Sequence, residues 1–267
     1  MSWTRRNWAF VKLAVVTNLE YRLNYFIDAL VQPAITAGIE LAFWGAVFIS
    51  NGQQLLGGFS RESYLAYAIW ASFIARVSTI WMYVFRMVEE VESGTLNTLL
   101  VRPMSFFEYY LSQFLGYKIV TTLVSLVAPL LICWAMDLPF AWLRLIPALA
   151  LATYYLVFLF LLSFIIVTVA FHLTRIQGIS IAKNLTLWIF SGELIPLDLF
   201  PSPFKEILIH LPFSSGVYIP VSYLTGRIDG ELMQSAVISI TLGIVVLSLV
   251  AVPLWRLGLR RYVGTGA

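Results

Sequence analysis

Six stretches of the chain, residues 25–49, 64–86, 110–136, 142–171, 179–199 and 232–255, each run for about 20 residues or more with scarcely a charge, the length a helix needs to cross a bilayer. Inside lipid there is no water to pair a bare N–H or C=O, so each run must satisfy its backbone internally, as a helix. The sequence therefore predicts an all-α integral membrane protein with six transmembrane helices. Composition agrees: with 60% hydrophobic and 12% charged residues, too few polar side chains remain to coat a soluble globule of 267 residues. Six spans put both termini on one side.

Lysine and arginine decide which side. Loops on the terminal side carry 12 of them, the opposite loops carry only Arg61, Arg144, Lys205 and Arg227, and Arg76 is left inside a span. The excess of positive charge places both termini in the cytoplasm. The same topology accounts for the net charge of +3, whose basic residues are scattered at the ends of apolar runs, so no nucleic-acid partner is expected. The lone cysteine, Cys133, lies in an apolar run and serves neither a disulfide nor a Cys/His metal site. His172 and His210 fall at opposite membrane faces, too far apart to share a metal. No cleaved signal peptide is expected, because the first long run starts only near Tyr25 and lacks a small-residue cleavage site.

Ahead of the first span, Trp8, Val11, Val15, Leu19, Leu23 and Phe26 recur every three or four residues, while Arg5, Arg6, Lys12, Asn18 and Arg22 fall largely elsewhere. Residues 1–23 thus read as an amphipathic interfacial helix on the inner leaflet, its basic face toward anionic lipid. Between the fifth and sixth spans, residues 191–224 are apolar but cut by Pro196, Pro201, Pro203, Pro212 and Pro220. A straight helix through them would lose too many hydrogen bonds, so short re-entrant pieces dipping into the outer leaflet are expected. Without inserted domain or repeat, residues 1–267 form one membrane domain.

The densest acidic cluster is Glu89, Glu90 and Glu92, in the stretch "VEEVESGTLNTLLVRP" of residues 88–103. Gly94 weakens the helix leaving the second span and Pro103 stops whatever follows. A plain solvated turn would leave Leu96, Leu99 and Leu100 with nothing to bury against except bilayer or a partner. Within the spans, Glu40 and Arg76 each cost about 2.5–3.5 kcal/mol to insert near a helix centre, so they form a pair or line a substrate path. Asp28 reads as an interface residue. Glu193, near the outer end of the fifth span, is placed at the exit.

The EE-x-E-x-G-T-L-x-x-L-L-x-R-P segment after the second span, "SGELIPLDLFP" after the fifth, and the ending "WRLGLRRYVGTGA" resemble the permease subunit of type-2 ABC transporters, the ABC-2 exporter family. The resemblance runs the length of the chain. It implies that residues 86–104 form a cytoplasmic coupling helix docking into an ATP-binding subunit. Glu89, Glu90 and Glu92 would supply polar contacts, Gly94 the bend, Thr95, Leu96 and Leu99 the docking edge, and Arg102 with Pro103 the end. It also implies re-entrant helices at 191–224, a second permease subunit, identical or related, and a bacterial inner membrane.

The chain has no G-x-x-x-x-G-K-[ST] loop, so ATP and Mg are expected on the partner and no cofactor, metal or catalytic residue here. The predicted function is movement of a substrate out of the cytoplasm. The alternative is an ion- or proton-coupled carrier using Glu40 and Arg76 as a relay, although such folds show fuller midplane polar sets and inverted repeats. An intramembrane enzyme is disfavoured for want of an H-E-x-x-H or a Ser/His/Asp grouping.

Overall fold

The computed structural model describes residues 3–20, 23, 26–52, 55–79, 81–102, 104–173 and 176–262, and among them it is helical throughout, its single β-bridge joining Leu56 to Phe59. Five helical stretches are long and apolar enough to cross a membrane: Ile27–Ser50, Arg61–Glu92, Phe106–Ala135, Trp142–Val169 and Gly230–Arg261. They contain α2 (Gln32–Ser50, after a π-turn at Ile27–Val31), α3 (Arg61–Ser78), α4 (Trp81–Glu92), α6 (Phe106–Ser125), α7 (Val127–Ala135), α8 (Trp142–Val169) and α12 (Gly230–Arg261). Helix α1 is Trp3–Glu20, α5 is Asn97–Leu100, and α9 is Gln177–Phe190. The short helices α10 (Ser202–His210) and α11 (Tyr218–Leu224) complete the chain.

Helix α3 is the centre of the bundle. It is buried from Tyr64 to Ser78 almost without interruption, as expected of a helix apolar on every side. Phe59, Tyr64, Tyr67 and Tyr218 stack edge to ring around its first turns. By contrast α12 turns Ile238, Leu242, Val246 and Leu249 outward, a face suited to lipid tails.

Helix α1 does not lie alone on a surface. Arg6 meets Glu108, Phe10 meets Tyr109, and Val11 and Ala14 meet Gly116, so α1 runs parallel to the first half of α6. A methyl group at Gly116 would stand 2.6 Å from Ala14 Cβ, which explains why that crossing carries glycine. Trp8, Leu13, Val16 and Leu19 remain exposed apolar residues on the other side. Arg22 and Tyr25 lie outside the described residues.

The fifth apolar run, 179–199, does not form one long helix. Helix α9 has 14 residues, roughly 21 Å, and ends at a turn where Gly192 takes φ +81° and Pro196 follows. The segment still joins the two ends of the bundle. Ile176 N–H donates to Glu92 Oε1 at 3.2 Å, and Asp198, at the far end, takes Lys205 and Arg227, the latter also donating to Gly57 and Gly58 carbonyls.

The expected short helical pieces are present beyond it. Ser214, Ser215 and Gly216 are wholly buried, Tyr218 N–H donates to Ser191 O at 2.8 Å, and Ala141 N–H donates to Leu224 O at 2.9 Å. Helix α11 therefore climbs from the depth of Tyr155, which Gly216 touches, back to the start of α8. Arg144 holds that end through Tyr223 and Ile228 carbonyls at 3.1 and 3.0 Å.

Candidate functional site

Helix α4 closes with Ser93 N–H on Glu89 O at 2.8 Å, and Gly94 then bends the chain at φ +77°, a left-handed conformation that L side chains adopt at a cost. Leu96 N–H returns to Glu90 O at 3.0 Å, and Thr98 Oγ1 donates to Thr95 O at 2.8 Å, setting up the single turn of α5. Two outside elements grip this loop. The Glu92 carboxylate accepts Ile176 N–H at the start of α9, and Tyr262 O–H at the end of α12 donates to Gly94 O at 2.8 Å. Desolvation raises the Tyr262 phenol above its usual range.

The residues expected to act together at this loop face different ways. Leu96 and Leu99, expected on a docking edge, are turned into the chain's own core at 0% and 4% exposure. Glu90 leans toward Tyr110 and Glu92 is held by Ile176, so of the three glutamates only Glu89 is fully outward. The outer surface includes Glu89, Thr95, Leu100, Val101 and Arg102, the last over the Tyr109 ring, beside the polar Ser93, Asn97 and Thr98. Pro103 lies outside the described residues.

A second site lies inside the bundle. A cavity of about 480 Å³ is lined by Asp28, Gln32 and Thr36 from the first span, Arg76, Thr79 and Tyr83 from the second, Tyr117 and Lys118 from α6, and Trp188 and Glu193 from α9 and its turn. Of the two readings left open for Arg76 and Glu40, a mutual pair or a substrate path, the pair is not formed among the described residues. Arg76 instead meets Asp28 at 3.4 Å, and Asp28 also accepts the Tyr117 hydroxyl. The π-turn explains the exchange: Pro33 has no N–H for the carbonyl four residues back, the turn widens by one residue, and Asp28 swings toward α3. Glu40 is half-buried, off the cavity wall, with Tyr64 and Glu193 as charge neighbours. Glu193 faces this cavity.

Two lysines were not expected here. Lys118 and Lys183, counted above among the loop cations, lie within the bundle: Lys118 is 5% exposed and donates to Arg76 O at 2.6 Å, and Lys183 donates to Ser163 Oγ at 3.2 Å. Their position well inside apolar runs was the available signal. Among the described residues no cluster of three or more His, Cys, Asp or Glu could hold a metal, and Cys133 is buried and free.

No curated protein and no solved structure matches the chain. The family model described as "ABC-2 family transporter protein" matches residues 34–266, from the first span to the last residues of the C-terminal tail. A multi-pass bundle, a loop gripped by two spans and a charged internal cavity, together with a match over nearly the whole chain, lead to one conclusion: the chain belongs to the ABC-2 family of transporter proteins, as a membrane permease component of an ABC transporter.

Proposed function

We propose that this permease is one of two membrane halves of an exporter in the bacterial cytoplasmic membrane, with both termini inside, and that its ATP-binding partner docks on the 89–102 loop. The second half is an identical or related chain, and phospholipid covers the outward apolar faces. Residues 191–224 would serve as the re-entrant segment near the outer mouth. With Lys118 and Lys183 removed from the loop tally, the terminal side still keeps an excess of Lys and Arg over the opposite side, in support of that orientation.

The observation that carries the reading is the wiring of the loop. Leu96 and Leu99 anchor it in the core, Glu92 ties it to α9 and Gly94 ties it to α12. A displacement imposed by a partner that hydrolyses ATP with Mg is therefore shared among three spans at once. The outward residues Glu89, Thr95, Leu100, Val101 and Arg102 supply the contact, a small apolar centre with charges at its edge.

The test is copurification from native membranes of the tagged permease beside a variant carrying Glu89→Lys and Arg102→Glu, both surface changes. A soluble subunit bearing a Walker motif should accompany the first, and its yield should fall by about tenfold with the second while gel filtration of the permease is unchanged. Absence of any ATPase from both preparations would sink the proposal and favour the ion-coupled carrier.

A further inference from the structure

Three interruptions of regular helix meet at the 480 Å³ cavity: the π-turn Ile27–Val31, the extended break at Thr79 between α3 and α4, and the turn after Phe190. Irregular backbone at membrane depth persists only where protein or a wet cavity surrounds it, and such breaks mark ligand sites in transporters. Two of the interruptions carry an ionisable side chain that lines the cavity, Asp28 and Glu193, and Arg76 stands in the last helical turn before the third, at Thr79. The fourth, Lys118, comes from regular helix, and its ammonium bonds a neutral carbonyl, that of Arg76.

The charges are arranged unequally. Arg76, Lys118 and Asp28 form one linked group with an excess of one positive charge. Glu193 arrives on a different element beside Trp188 and makes no ion pair among the described residues. The lining carries two cations and two anions, so a ligand with net charge would leave one charge uncompensated within the bundle. A ligand carrying one anionic and one cationic group would not.

We propose that this cavity binds a zwitterion. Its phosphate or carboxylate takes the remaining donors of Lys118 and the Arg76 guanidinium, and its ammonium lies between the Glu193 carboxylate and the Trp188 ring. The volume suits a head group or small solute, within the roughly 300–1,000 Å³ of small-molecule sites. This deepens the exporter reading and rests on it for the purpose of the site, but it is tested by binding alone, without nucleotide or ATPase.

The full-length permease in nanodiscs of uncharged lipid-like polymer is titrated calorimetrically with three short-chain amphiphiles below their micelle concentrations. They share one tail and carry phosphocholine, trimethylammonium or phosphate. The zwitterion should bind about tenfold tighter than either singly charged probe, the effect of one extra charge-assisted contact. Equal affinities, or a preference for either single charge, would overturn the proposal without any variant. Lys118→Gln should weaken phosphocholine and phosphate but spare trimethylammonium, and Glu193→Gln should weaken phosphocholine and trimethylammonium but spare phosphate; a uniform loss across all three probes in both variants counts against it. Tailless phosphocholine separates the sources: binding as tight as the tailed form indicates a soluble solute, and binding only with the tail indicates a lipid head group.

Discussion

Replacing Asp28 by Asn removes the carboxylate that faces Arg76 and leaves that guanidinium beside Lys118. Because the pair is partly exposed, at 22% and 34%, the cost should be about 1–2 kcal/mol rather than the roughly 3–5 kcal/mol of a fully buried pair. Joint replacement, Asp28→Asn with Arg76→Gln, should recover at least half of the loss, and a double-mutant cycle on thermal unfolding reads the difference. Additive losses would mean that the two side chains stabilise the bundle separately. The sequence marked Arg76 as anomalous from its place in an apolar run, and that mark was sound. It left a Glu40 pair and a substrate path open and missed Asp28 as the partner, because depth along a helix says nothing of direction around it. One residue added by the π-turn rotates everything before it by about 100°, and a π-turn leaves no sequence sign beyond the nearby Pro33.

At the scale of elements, α1 and α6 approach so closely at Gly116 that a side chain there would collide with α1. Gly116→Leu should prise α1 away, costing about 1–3 kcal/mol as other overpacking does. Hydrogen exchange over residues 6–18 would rise while exchange in α3 stays slow; unchanged protection of α1 would show that the contact is dispensable. Glycine at such a position reads from sequence only as a weak helix former, so the docking of α1 was hidden while its amphipathic period was plain. The apolar runs located five long helices well, since burial in lipid selects composition and length together. They misjudged the extent of the fifth run, because hydropathy continues through Leu194 and Ile195 whereas the backbone has already turned at Gly192. For the loop at 89–102, the leucines were legible as buried; their burial inside the chain itself depends on tertiary packing that the local pattern does not encode.

For the molecule as a whole, the hydrogen bond from Tyr218 N–H to Ser191 O has a consequence for how the chain is made. During synthesis α9 emerges first, 14 residues long and carrying Lys183, against a hydrocarbon core of roughly 30 Å. Alone it is too short and too polar for stable insertion, and the residues that cap its far end, Gly216 to Tyr218, have yet to be translated. The native placement of residues 176–198 should therefore be a late event that waits for α11. A reporter fused after Lys205 of a truncated chain should remain on the side of the Glu92 loop, whereas the same reporter placed at that point within the full chain should appear on the side of Gly57. Identical placement in both would mean that α9 inserts unaided. If the two differ, premature termination in this region leaves a stable upstream bundle with its last spans stranded outside the bilayer, a substrate for membrane proteases rather than a partly active carrier.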